Sequence, residues 1–124
     1  MNPSKADKRR LRQAIRAATL AECKTHKVGA AVFKGKSLIS LGWGSKRTHP
    51  QSKTFNCQQH AEFMALAGTW KFDLVGATIY VARISRSGLR MAKPCHNCEK
   101  VLRASGIKRV WFTNSEGQLE AMTL

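Results

Sequence analysis

Apolar residues recur at helical spacing near the start of the chain and in strand-like runs after it. From Ser4, which can cap a helix, side chains such as Leu11 and Ile15 follow at helical spacing to about residue 24. Residues 27–34 and 37–43 are short apolar runs separated by Gly35, a pattern typical of a β-hairpin. The first third of the chain therefore predicts a helix followed by two paired strands.

The rest of the chain alternates between predicted helices and strands. Residues 77–84 form the strongest predicted strand, with helices predicted over 58–69 and 95–105, a basic loop over 85–93, and strands over 109–113 and 119–124. About five residues separate the last two strands, whereas a parallel crossover needs a dozen or more, so these strands should pair antiparallel. The predicted fold class is α/β: a three-layer helix–sheet–helix sandwich with a mixed five-stranded sheet and an antiparallel final hairpin.

Composition narrows the class of protein. A chain of 124 residues with 43% hydrophobic residues suits one folded domain, 1–124, and is too apolar for a disordered basic tail. No apolar run approaches the ~20 residues of a membrane span, and residues 1–16 are polar and basic, so we expect a cytoplasmic protein. The formal net charge of +15, from 22 Lys+Arg against 7 Asp+Glu, attracts polyanions and favours a nucleic-acid or nucleotide partner.

Two clusters of candidate metal ligands lie at the starts of predicted helices, in His60-Ala61-Glu62 and Pro94-Cys95-His96-Asn97-Cys98. A helix N-terminus favours the thiolate form of cysteine, which zinc requires. His60, Cys95 and Cys98 supply three ligands, and a catalytic zinc site keeps its fourth position for water. Glu62, two residues beyond His60, is then a candidate general base for that water.

Two other uses of the same cysteines remain open. With Cys57 added, the cluster becomes a closed Cys₃His structural zinc site that has no position for water. A redox-active dithiol at Cys95 and Cys98 is the other alternative, although Pro94 precedes the pair rather than lying within it. The closed site leaves Glu62 without a role, so the catalytic zinc is the prediction.

His-x-Glu followed about thirty residues later by Pro-Cys-x-x-Cys is the signature of zinc nucleobase deaminases. The chain resembles the cytidine and deoxycytidylate deaminase superfamily over nearly its whole length, and short phage-type members most. Residues 28–32, 48–50 and 106–110 also resemble that superfamily. The resemblance implies Zn²⁺ on His60, Cys95 and Cys98, proton transfer by Glu62 during conversion of cytosine to uracil, and a base bound against the backbone near Ala61.

The chain departs from the superfamily where many members carry a substrate-binding asparagine, because Gly44 occupies that position. Trp43 and His49 are candidates to replace it by stacking or hydrogen bonding, and Lys93 is a further candidate substrate contact. Predicted nucleic-acid contacts are Lys46, Arg47, Arg86 and Arg90.

The favoured substrate is cytosine in single-stranded nucleic acid, with DNA preferred, because of the +15 charge. The resemblance implies parallel final strands for tRNA adenosine deaminases, so the predicted antiparallel hairpin favours cytosine over adenine. Free deoxycytidylate or (deoxy)cytidine is one alternative, and a homo-oligomer would accompany it. A non-catalytic, zinc-stabilised nucleic-acid-binding domain is the other.

Overall fold

A mixed sheet of six strands organises the part of the chain described by the computed structural model, namely residues 3–20, 27–43, 74–85, 88–93 and 96–124. The strand order is β2-β1-β3-β5-β6, and β4 pairs with β3 beside β5. Only β3 and β5 are parallel. The elements, in chain order, are α1 (Lys5–Ala18), β1 (Lys27–Lys34), β2 (Ser37–Trp43), β3 (Thr78–Ser85), β4 (Gly88–Arg90), α2 (His96–Ala104), β5 (Arg109–Thr113) and β6 (Leu119–Thr123).

Helix α1 begins at a capping box and ends sooner than its apolar spacing suggests. Ser4 and Asp7 exchange side-chain and backbone hydrogen bonds at the N-terminus. At the other end, the Leu20 N–H donates to the Ala17 carbonyl (3.0 Å) and the Thr19 hydroxyl to the Arg16 carbonyl (2.6 Å). These bonds tighten the last turn and end the helix at Ala18 rather than near residue 24. Neither helix in the described ranges is long and apolar enough to cross a membrane.

The two faces of the sheet carry separate cores, which is the basis of the three layers. Alternate residues of β1, β3 and β5 point to opposite sides. One set packs with Leu102 of α2: Ala30, Val32, Ile79, Val81, Val110 and Phe112. The other set packs with Leu11 and Ala14 of α1: Ala31, Phe33, Tyr80, Ala82 and Trp111. The predicted helix–sheet–helix sandwich is confirmed.

Glycine at position 29 lets α1 approach the sheet. A Cβ atom at Gly29 would lie 2.1 Å from the Ala14 carbonyl oxygen and 2.2 Å from the Ala18 amide nitrogen. No side chain fits in that space, so the helix backbone rests directly on β1.

The C-terminal hairpin has the predicted antiparallel pairing, with Trp111 opposite Ala121. In its turn, the Asn114 side chain accepts hydrogen bonds from the amides of Glu116 and Gln118, both at 2.9 Å. Strand β4 is an addition, since the sequence predicted a loop there. It forms because β5 pairs only with Thr78–Val81 and leaves the end of β3 available to it.

Candidate active site

The predicted site residues that the structure describes lie at the end of the sheet where β3 and β5 finish. The carboxyl ends of two parallel strands share one edge of a sheet, and ligands of open α/β sheets bind beyond that edge. The chain leaves β3 there, forms the β3–β4 hairpin, and enters α2 at His96. The start of α2, which carries Cys98, therefore lies at the ends of β3 and β5.

Cys98 is the predicted zinc ligand that falls within the described residues. It lies in the first turn of α2 and is 3% exposed. Leu102, one helical turn further on, packs in the core cluster against the sheet, and residues four apart share a helix face. The Cys98 thiol is thus buried on the sheet-facing side at a helix N-terminus, a location that fits a thiolate ligand of zinc.

Thr113 joins the elements that lead to Cys98. This residue, fully buried at the end of β5, accepts a hydrogen bond from the Ala92 amide through its carbonyl (2.8 Å). Its hydroxyl accepts a longer bond, 3.4 Å, from the Arg83 amide of β3. Thr113 therefore holds the segment before α2, at Ala92, close to the ends of β3 and β5. This positioning role was not predicted from the sequence. Its signal was a hydroxyl residue directly after the apolar run Val110-Trp111-Phe112.

Arg83 lies in β3, inside the sheet, within the strand predicted over residues 77–84. It pairs with Val28 on one side and Arg90 on the other. Val28 packs against the core cluster on the α2 face, and paired residues share a face. Arg83 is therefore a cation on the α2 face, at the same end of the sheet as the start of α2.

Trp43 lies at this end of the sheet but on the opposite face. It pairs with Gly29, whose missing side chain would point at α1, so Trp43 also lies on the α1 face. This placement does not favour stacking of Trp43 on a base beside Cys98, and its substrate contact stays a prediction. Lys93 is exposed just before α2, and Arg90 ends β4.

The remaining candidate residues fall outside the residues that the structure describes, so their assigned roles stay predictions. They are Lys46, Arg47, His49, Cys57, His60, Ala61, Glu62, Arg86 and Cys95. Of the predicted ligand set, only Cys98 has a described environment.

Comparison with known proteins identifies the family. The family model for the cytidine and deoxycytidylate deaminase zinc-binding region matches residues 4–114. The chain belongs to this family. It is accordingly a zinc-dependent deaminase, which confirms the predicted enzyme class and the Zn²⁺ cofactor. The alternative of a non-catalytic nucleic-acid-binding domain is set aside.

Individual relatives agree with this assignment. A deoxycytidylate deaminase of Mycobacterium phage D29 is 31% identical over 120 residues, which cover 80% of this deaminase and 87% of the relative. The dCMP deaminase of cyanophage S-TIM5, in its apo form, matches with a TM-score of 0.68 at 25% identity, over 93% of this chain and 86% of that one. A cytidine deaminase from Burkholderia pseudomallei matches with a TM-score of 0.69 at 19% identity, over 94% and 91% of the two chains. That last likeness concerns the fold alone.

Proposed function

We propose that this deaminase hydrolyses free deoxycytidylate to deoxyuridylate and ammonia. The observation that carries the proposal is the 31% identity to a phage deoxycytidylate deaminase over most of both chains. The cyanophage dCMP deaminase, which has the same fold, forms a complex with dCMP and dUMP. The free nucleotide is therefore preferred to cytosine within a single strand, the substrate favoured by the sequence analysis.

The location of the described charge supports a small substrate. The six cations of α1 belong to a helix that packs on the face of the sheet opposite α2 and Cys98: Lys5, Lys8, Arg9, Arg10, Arg12 and Arg16. Lys34 and Lys36 lie at the β1–β2 turn, at the end of the sheet away from the start of α2. These eight of the 22 Lys and Arg residues thus lie away from the candidate active site, and their charge does not require a polynucleotide in it.

Arg83 is suited to the single phosphate of a nucleotide. Its side chain leaves β3 on the α2 face, at the end of the sheet where α2 begins, and guanidinium groups bind phosphate oxygens through paired hydrogen bonds. The Arg83 Nε atom is itself buried, which keeps the stem of the side chain within the fold. We assign Arg83 the role of phosphate contact.

Zinc binding and proton transfer are assigned to different predicted residues. Cys98, with His60 and Cys95, would hold zinc, which when bound supplies the Lewis acidity that makes water a nucleophile near neutral pH. Hydrolysis forms a bond between the water oxygen and C4 of cytosine and breaks the bond from C4 to the exocyclic nitrogen. Protons must reach N3 and the departing amine, and Glu62 is the residue that would carry them.

Cytosine in single-stranded DNA is the second candidate substrate, because a net charge of +15 on 124 residues favours polyanions. Lys93, which is exposed just before α2, is a described cation that would contact the nucleic acid near the site.

Four substrates assayed in parallel separate these candidates: deoxycytidine, deoxycytidylate, a single-stranded oligonucleotide and a duplex, with uracil formation followed by mass spectrometry. We expect the highest kcat/KM with deoxycytidylate. The Glu62→Gln variant serves as the negative control and should show no turnover of any of the four substrates. Faster turnover of the single strand, falling steeply with added salt, would overturn the proposal in favour of the second candidate.

A further inference from the structure

A basic cavity lies between α1 and the β1–β2 hairpin. Its volume is about 370 Å³, and its lining includes three cationic side chains, one amide and two apolar side chains: Arg9, Arg10, Lys36, Gln13, Phe33 and Leu38. None of the described lining residues is acidic. The volume is at the lower end of the range for small-molecule sites, roughly 300–1,000 Å³.

This cavity is separate from the candidate active site in two respects. Phe33, which lines the cavity, belongs to the core on the α1 face, whereas Cys98 lies on the α2 face. Phe33 also pairs with Thr78, the first residue of β3, while the chain reaches α2 from the far end of that strand. Eight residues of β-strand span roughly 25 Å, so the two sites lie at opposite ends of the sheet.

One cation of the cavity, Arg10, is held in place by the surrounding fold. The guanidinium carbon of Arg10 lies 5.4 Å from the centre of the Phe33 ring, and Phe33 meets Tyr80 edge to face at 5.5 Å. The nearby carboxylate of Asp7 is bonded to Tyr80 and Ser4, and it also interacts with the charge of Arg10. Arg9 and Lys36 are exposed at the rim. Asp7 offsets part of the charge on Arg10 only, so the like charges around this small cavity still repel one another, and a bound anion removes that repulsion.

We propose that this cavity is a second, anion-binding site that takes ligands carrying several phosphate groups. Three cations exceed what one monoanionic group needs, and guanidinium and ammonium donors are the usual partners of phosphate oxygens. Two kinds of ligand carry several phosphate groups: a free polyphosphate and the backbone of a nucleic acid. A nucleic-acid backbone would also extend along α1, where Lys8, Arg12 and Arg16 are exposed. The site accounts for charge that the proposed deamination leaves without a role.

The test compares two double variants that remove the same net charge. Arg9→Gln with Lys36→Gln changes two exposed residues of the cavity, and Lys100→Gln with Lys108→Gln changes two exposed residues elsewhere. Arg10 is left intact because it packs on Phe33. Binding of sodium tripolyphosphate is measured by calorimetry and binding of a labelled single-stranded oligonucleotide by fluorescence anisotropy, both at low salt. Circular dichroism checks that each variant is folded.

We expect the cavity variant to bind at least one probe about tenfold more weakly, and the control variant to change by less than about threefold. Loss for tripolyphosphate identifies a free polyphosphate site, and loss for the oligonucleotide alone identifies the nucleic-acid backbone. Equal weakening in both variants, or no binding of either probe to the unmodified protein, overturns the proposal. Turnover of deoxycytidylate should be unchanged in both variants, which keeps this result independent of the proposed function.

Discussion

The Tyr80 hydroxyl donates a 2.6 Å hydrogen bond to the Asp7 carboxylate and so ties α1 to the centre of the sheet. Asp7 also accepts from the Ser4 amide in the capping box, which makes one carboxylate both the helix cap and the attachment point. Burial alone would raise the pKa of Asp7, but the hydrogen bonds from Tyr80 and Ser4 and the charge of Arg10 outweigh it and lower that pKa. The α1 layer is therefore held by a polar contact as well as by apolar packing.

Removing the Tyr80 hydroxyl should weaken this attachment without disturbing catalysis. Tyr80→Phe keeps the ring that packs on Phe33 and deletes only the hydrogen bond to Asp7. We expect the free energy of unfolding in urea to fall by about 1.5–3 kcal/mol, the range for a hydrogen bond to a charged group. Turnover should be retained, because Tyr80 lies on the α1 face. An unchanged urea midpoint would contradict the assigned contact.

Tyr80 should also titrate far above an ordinary tyrosine. Burial first, and then the hydrogen bond to Asp7, raise the pKa of Tyr80 to about 12, against about 10 in an unfolded chain. The folded state favours the protonated hydroxyl, so this contribution to stability is complete below pH 10 and is lost as the pH rises through 12. Tyr80 is the sole tyrosine of the sequence, so tyrosinate absorbance reports it alone. A midpoint near 10 while circular dichroism still shows folded protein would refute the prediction.

Gly29→Ala should disrupt the packing of α1. The added methyl group would lie about 2 Å from helix backbone atoms, which cannot move independently of the helix. We expect a loss of roughly 3 kcal/mol or more, at the upper end for overpacked sites. Gly35→Ala is the matched control, because Gly35 has open space around it and a φ of +61°. Its cost should be about 1 kcal/mol, from backbone strain alone. Equal losses in urea unfolding for both variants would contradict this account.

Local signals in the sequence predicted most of the described fold, and contacts between distant segments account for the rest. The bounds of β1, β2 and β5 follow from short apolar runs, and the antiparallel last hairpin follows from its short turn. Strand β4 could not be predicted, because it depends on β5 leaving part of β3 unpaired.

The candidate site also has features that the local sequence predicts and features that depend on contacts between distant segments. Its ligand types came from spacing alone, whereas the face on which Trp43 lies follows from pairing with Gly29. That register is not visible in the sequence, and a shift of one residue would move Trp43 to the other face. The positioning contacts of Thr113 likewise depend on strand ends that meet only in the folded sheet.

Zinc content should distinguish the catalytic ligand set from the closed structural one. Cys98→Ala removes a buried ligand, and we expect bound zinc, measured by mass spectrometry of the purified protein, to fall from about one per chain to near zero. Cys57→Ala should keep its zinc if His60, Cys95 and Cys98 are the complete set. Loss of zinc in Cys57→Ala would instead support the four-ligand site, and full retention in Cys98→Ala would exclude Cys98 as a ligand.

Arg83→Gln should separate nucleotide from nucleoside turnover. If Arg83 binds the phosphate, loss of its guanidinium group removes a charge-assisted contact, and kcat/KM for deoxycytidylate should fall about tenfold to a hundredfold, mainly through a higher KM. Deoxycytidine has no phosphate, so its turnover should change little. Arg103→Gln is the control, since Arg103 is an exposed cation of α2 that pairs with Glu99 on the surface (3.1 Å). Equal losses for both substrates would mean that the Arg83 side chain acts through the fold, and would remove it as the phosphate contact.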